Sequence, residues 1–136
     1  MTKPIPPIAK FMTTNPHTIG FDQTIDHASK TMAEYRIRHL PVLKGGKIVG
    51  LISESDIRLI ESLKGVDPAA VKVEDAMTPD PYVVSPDDLL DEVASQMAEQ
   101  KYGSAIVMQN QKVVGIFTTL DALTALAELL KTRLNK

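Results

Sequence analysis

An internal repeat constrains this chain more than any other feature. Shifted by 65 positions, so that Met12 falls on Met77, the sequence aligns with itself without a gap. Met12-Thr13 then meets Met77-Thr78, Pro16 meets Pro81, Asp22 meets Asp87 and Asp26 meets Asp91. Met32-Ala33-Glu34 falls on Met97-Ala98-Glu99, Val42 on Val107 and Lys47 on Lys112. Val49-Gly50 falls on Val114-Gly115 and Asp56 on Asp121. Other pairs exchange like for like: Ile25 with Leu90, Ile48 with Val113, Leu51 with Ile116, Ser53 with Thr118. Self-similarity at one period marks a supersecondary unit present more than once. A unit this small buries its apolar face poorly alone, so two copies packed about a pseudo-twofold axis are expected.

Each half reads as β-α-β-β-α. Thr18-Ile19 and Val83-Val84 are short extended segments, each shortly after a proline. Ser85-Pro86-Asp87-Asp88 predicts a helix start, with a capping serine, an early proline and acids near the positive dipole end. Leu90, Val93 and Met97 recur at helical spacing, as do Ile25, Ala28 and Met32, so both methionines are expected in the core. A hairpin follows, His39–Leu43 and Ile48–Ile52 around Gly45-Gly46, with Ala105–Met108 and Val113–Phe117 as its counterpart around Asn110-Gln111. A helix closes each half; in the second, Leu123, Leu126, Ala127, Leu130 and Leu134 form a stripe. The expected fold is α/β of the α+β type. It is one module over 1–136, with repeats at 8–62 and 73–130 and a linker at 63–72.

Composition removes several functions. With 136 residues and no cysteine, the chain has no disulfide, no thiolate catalysis and no Cys-ligated metal. Lys+Arg 15 against Asp+Glu 17 gives a net charge of -2, so no nucleic-acid partner is expected. The apolar runs are too short to span a bilayer. Prolines at 4, 6 and 7 spoil a signal-peptide core. A soluble cytoplasmic protein without a membrane partner is the expectation. His17, His27 and His39 have no metal-ligand spacing, and Gly45-Gly46-Lys47 lacks the spacing of a phosphate loop. No nucleophile elbow or acid–base pair is visible, so neither catalytic nor metal residues are assigned, and no enzyme is expected.

One signature ends the second hairpin strand of both halves. It reads Gly50-Leu51-Ile52-Ser53-Glu54-Ser55-Asp56, then Gly115-Ile116-Phe117-Thr118-Thr119-Leu120-Asp121. The spacing fits a capping box: hydroxyl to backbone N–H, carboxylate reaching back. It fits a ligand equally well. A hydroxyl at a helix N-terminus suits a phosphate, and an acceptor-only aspartate suits a ribose diol. Spacing alone leaves both open.

The repeat, the Arg38-His39-Leu40-Pro41-Val42 segment and the two Gly-to-Asp endings together resemble the CBS (cystathionine β-synthase) domain. Two in tandem resemble a CBS pair, or Bateman module, from about Ile8 to Leu130. The resemblance implies two small sheets facing each other across a cleft, helices outside. Two related sites there would take AMP, ADP, ATP or S-adenosylmethionine as regulatory ligand, with no obligatory cofactor. It implies that Asp56 and Asp121 hold ribose hydroxyls and that Ser53 and Thr118 approach ribose or phosphate. Thr18, Arg38, His39, Leu40 and Pro41 would complete the first site. Val83, Gly103, Ser104 and Ala105 would complete the second.

The copies differ in charge. Arg36, Arg38 and His39 stand opposite Lys101, Gly103 and Ser104, while Pro41 becomes Ile106 and Arg58 becomes Leu123. Guanidinium groups suit phosphates, so the first site is expected to favour polyphosphates and the second a less charged adenosine ligand, or none. The resemblance further implies a homodimer through helices, with Leu126 and Leu130 contributing, and an effector protein reached in trans. A module that binds no nucleotide, with Ser and Asp acting only as caps, is the alternative.

Overall fold

The structure, a computed structural model, describes residues 4–133. Along the chain run β1 (Thr13–Thr14), β2 (Ile19–Gly20), α1 (Ile25–Tyr35), β3 (His39–Lys44), β4 (Lys47–Ser53) and α2 (Glu54–Ser62). Then follow β5 (Thr78–Pro79), β6 (Val83–Val84), α3 (Leu90–Gln100), β7 (Ser104–Gln109), β8 (Lys112–Thr118) and α4 (Thr119–Arg133). They form two compact units. One is the continuous stretch Pro16–Pro81; the other joins the segment ending at Asn15 to the residues from Tyr82 onward.

The Pro16–Pro81 unit carries a four-stranded sheet in the order β2-β3-β4-β5. β2 runs parallel to β3, as the α1 crossover requires, and the other pairings are antiparallel. Ile25, Ala28 and Met32 of α1 pack with Leu40, Val42 and Ile52 into one core, as the helical spacing predicts. The hairpin turns at Gly45 and Gly46, whose φ angles are 58° and 79°. Two positive φ values in succession are what a two-residue turn with the right strand twist needs. The other hairpin makes the same turn without glycine, at Asn110 and Gln111 with φ of 52° and 65°.

The second unit repeats the plan with β1-β8-β7-β6. Val93, Met97, Val107 and Phe117 belong to its core. Each sheet is thus completed by a two-residue antiparallel edge strand, β5 on β4 and β1 on β8. These edge strands belong to the segment ahead of each β-α-β-β-α run. The compact units are therefore phased differently from the repeats at 8–62 and 73–130.

One expectation needs correction. Ser85-Pro86-Asp87-Asp88 is a turn, not a helix start: the Asp88 N–H donates to the Ser85 carbonyl at 3.0 Å, and α3 begins only at Leu90. The reason lies far away in sequence. The Ile8 N–H donates to the Asp88 carbonyl at 2.7 Å and the Ala9 N–H to the Pro86 carbonyl at 3.0 Å. Carbonyls that a helix would have used internally are bonded outward. The first free N–H of α3, on Leu90, goes to the Pro6 carbonyl at 2.9 Å; that of α1, on Ile25, goes to the Val71 carbonyl at 2.9 Å.

The leucine stripe lies on the exposed face of α4. Ala125 is the buried residue of α4, with Ala122 and Leu129 packed beside it. Leu120, Leu123, Leu126 and Leu130 are 71%, 62%, 53% and 46% exposed. Leu134 lies outside the described residues.

Candidate functional site

The strand register gathers most of the first candidate set at one end of its sheet. His39 pairs with Ser53 and Pro41 with Leu51 across β3 and β4. Cross-strand partners share a face, so these four lie together on one side. Leu40 lies on the opposite side and is fully buried in the core. Its side chain is committed to packing, and only its backbone remains for a ligand. Thr18 is exposed, one residue before β2, where Ile19 pairs with Val42. Arg38 is exposed, and its carbonyl accepts the Glu54 N–H at 2.8 Å, which ties the start of β3 to the start of α2.

Ser53 and Asp56 form a capping box at α2. One carboxylate oxygen of Asp56, Oδ2, accepts the Ser53 N–H and the Ser53 hydroxyl, both at 2.9 Å. The Asp56 N–H in turn donates to Ser53 Oγ at 3.2 Å. Among the described residues no donor reaches Oδ1. Arg58 is paired with Glu54 at 2.9 Å, so of the first-half arginines it is already engaged. Burial, the largest effect, holds His39 below its ordinary pKa of 6.5; Asp56 opposes that, Arg38 adds to it, and Glu54 opposes it. Close to neutral pH the imidazole is therefore predominantly uncharged.

The second set is assembled the same way. Ser104 pairs with Thr118 and Ala105 with Phe117, and Val83 pairs with Ile106 from the parallel side. The Gly103 carbonyl accepts the Thr119 N–H at 3.2 Å, the counterpart of the Arg38–Glu54 bond. Ala105, like Leu40, is a core residue. Asp121 Oδ2 accepts the Thr118 N–H at 2.9 Å and its hydroxyl at 3.2 Å. Two features distinguish this set. The Ser104 hydroxyl is buried and has no hydrogen-bond partner among the described residues. Thr13, which sequence reasoning did not single out, donates from Oγ1 to Asp121 Oδ1 at 3.2 Å. The two residues are 108 positions apart, and the only signal was that Met12-Thr13 recurs as Met77-Thr78.

Both sets thus present a hydroxyl and a carboxylate at a strand-to-helix junction, with an imidazole or a serine hydroxyl on the facing strand. That is a compact donor–acceptor arrangement, duplicated within a small α+β module. The CBS domain family model matches residues 8–61 and 73–128, and the chain belongs to that family, with two CBS domains in tandem. Among solved structures, it is similar to the CBS domain pair of protein MJ0100, in complex with 5'-methylthioadenosine and S-adenosyl-L-methionine. That likeness is 25% identity and a TM-score of 0.81 over 92% of this chain and 98% of that one. CBSX2 in complex with AMP matches at 26% identity and a TM-score of 0.81, over 91% of this chain and 98% of that one. An uncharacterized conserved protein from Pyrococcus horikoshii matches at 28% identity and a TM-score of 0.80, over 99% of both chains. An inosine-5'-monophosphate dehydrogenase from Korarchaeum cryptofilum is 27% identical over 122 residues, 89% of this chain but 24% of the enzyme. The chain spans about a quarter of the length of the curated relatives it matches first. No helix among the described residues is long and apolar enough to cross a membrane.

Proposed function

We propose that this CBS pair is a regulatory, non-catalytic module that senses an adenosine-containing compound: AMP, ADP, ATP or S-adenosylmethionine. The observation that carries the reading is the duplicated junction. Ser53 with Asp56, and Thr118 with Asp121, set an acceptor-only carboxylate beside a hydroxyl, the chemistry of a ribose edge next to a phosphate. Two neighbours of the same fold hold adenosine compounds, one AMP and one S-adenosyl-L-methionine with 5'-methylthioadenosine. The exposed Arg36 and Arg38 belong to the first half alone, which favours the longer phosphates there. The buried Ser104 hydroxyl offers the second set an unspent donor. Leaving such a group unpaired costs about 1–3 kcal/mol, which a ligand atom would recover.

The module would act through its own homodimer or on an effector protein in trans, by binding its ligand better in one arrangement than in another. The leucine face of α4 supports a homodimer. The positions matching Leu120, Leu123 and Leu126 are Ser55, Arg58 and Glu61 of α2, and Leu130 matches Gly65 just beyond it. The internal duplicate therefore shows the same surface in a form suited to water. A two-fold contact of α4 on α4 is self-complementary, whereas α4 on α2 would set leucines against the Arg58–Glu54 pair.

A second reading has an observation of its own. Both Ser/Thr–Asp pairs are complete as caps, so the motif is also accounted for without a ligand. A thermal-shift screen with AMP, ADP, ATP, S-adenosylmethionine, NAD and GTP separates the two. At 100 times its dissociation constant a true ligand adds about 2.7 kcal/mol. A selective adenosine response carries the sensor reading; a flat screen leaves the protein-interaction module.

A further inference from the structure

The two aspartates are equivalent in sequence but not in their surroundings. Asp56 spends one oxygen on its cap, and among the described residues Oδ1 meets no donor. Asp121 spends the same oxygen on its cap, and its Oδ1 is engaged as well, by the Thr13 hydroxyl. Thr13 Oγ1 also lies 3.4 Å from Asp121 Oδ2, so the hydroxyl sits across the carboxylate edge.

The backbone fixes where Thr13 stands. It pairs with Ile116 in the β1–β8 ladder. The preceding Met12 side chain lies against Gly115, where an added Cβ would come within 2.6 Å of its Sδ. Thr78 has the same backbone station in the other unit, pairing with Leu51 after Met77 packs on Gly50. Yet among the described residues Thr78 makes no hydrogen bond to Asp56. The internal duplicate is thus a control: one backbone arrangement, two outcomes for the carboxylate.

We infer that Thr13 determines the specificity of the second motif, as an in-chain hydroxyl that competes with a ligand's diol for Asp121. The inference rests on the adenosine reading above. A ribose diol brings two neighbouring O–H donors and needs an acceptor with a free edge. Asp56 offers one at once. Asp121 offers one only after the Thr13 hydroxyl turns away, so the two motifs fill in order, the first before the second. A single exchanged hydrogen bond corresponds to a difference of about fivefold in affinity.

Calorimetric titration with AMP, in an Asp56→Asn background that silences the first motif, provides the test. Thr13→Val keeps the branched shape and the strand pairing but removes the donor; it should bind AMP about fivefold more tightly at the second motif. Thr13→Ser, which retains the hydroxyl, should behave as the parent. Unchanged or weaker AMP binding by Thr13→Val, with the first motif active in the Asp56 protein, overturns this inference alone. Absence of binding by AMP, ADP, ATP and S-adenosylmethionine in every variant overturns the adenosine reading and this inference with it. A ligand-free double-mutant cycle on thermal unfolding gives an independent check. Thr13→Val and Asp121→Asn should couple, whereas Thr78→Val and Asp56→Asn should not; no coupling in the first pair also overturns the inference.

Discussion

Ser53 and Asp56 hold each other reciprocally. The serine hydroxyl donates to the carboxylate at 2.9 Å and accepts the aspartate's own backbone N–H at 3.2 Å. A carboxylate so fixed is oriented before any ligand arrives, with its second oxygen left over.

That geometry separates the two functional readings. Asp56→Ala should cost about 1 kcal/mol in denaturant unfolding, the usual worth of a cap. If the residue also holds ribose, the same variant loses the first motif's share of the thermal response to adenosine compounds, and Asp56→Ala with Asp121→Ala loses it all. If it is only a cap, the destabilisation stands alone and every ligand response of the parent persists.

Gly50 and Gly115 are fixed by close approach. A Cβ at Gly50 would press on Met77 and lie 2.9 Å from the Thr78 carbonyl oxygen; at Gly115 it would lie 3.0 Å from that of Thr13. Backbone cannot yield as a side chain can. Gly50→Ala and Gly115→Ala are each expected to lose about 1–3 kcal/mol. Hydrogen exchange should quicken selectively at β5 in the first variant and at β1 in the second.

His39 adds a pH dependence with a definite sign. Its folded pKa lies below the ordinary 6.5, so the unfolded chain binds the proton more readily. Its share of stability is full above about pH 6.5 and is lost as pH falls through that value towards the folded pKa. His39→Gln should flatten this part of the stability curve between neutral and mildly acid pH. An unchanged slope in urea melts at several pH values would refute the assignment.

The α4 leucines make a prediction about assembly. Leu123→Glu together with Leu126→Glu should convert a dimer to a monomer in light scattering without lowering the melting temperature of the monomeric unit, since both side chains are already exposed. The cysteine-free sequence allows a sharper readout. A single cysteine at Ala127 should cross-link two copies if α4 meets α4, and one at Arg58 should not.

Two helix starts that share a plan differ in their caps. Thr24 accepts the His27 N–H at 3.1 Å, whereas Leu89 provides no side-chain bond for α3. Leu89→Thr should therefore raise the melting temperature by a few degrees, and Thr24→Ala should lower it by a similar amount, each worth about 1 kcal/mol.

Much of the architecture was legible in the sequence because its determinants are local. Met32 and Met97 fell in the core, and the turns at Gly45-Gly46 and Asn110-Gln111 were placed, because spacing and turn chemistry act over a few residues. The missed features depend on distant partners. Ser85 carries every mark of a cap, yet Ile8 and Ala9 claim the carbonyls of Asp88 and Pro86. The leucine stripe was visible, but the inward face of α4 was not; small Ala122 and Ala125 pack inward and the larger leucines remain outside. A repeat also fixes a period without fixing a phase. Nothing between Ser62 and Val73 says that the stretch after it closes the preceding sheet. In the site, the hydroxyl–carboxylate pairing at Ser53/Asp56 and Thr118/Asp121 was readable from spacing, whereas Thr13 against Asp121 was not.

The phasing has a consequence for synthesis on the ribosome. Pro16–Pro81 contains every strand of its own sheet, so it can close as soon as its last residue has cleared the exit tunnel. The segment ending at Asn15 emerges ahead of that unit, but the partners of its own sheet come later: β1 must wait for β8, and Ile8 for the turn at Asp88. Residues made before Pro16 are thus locked later than the unit that follows them, and a stall after Pro81 would leave a finished sheet with β1 still unpaired.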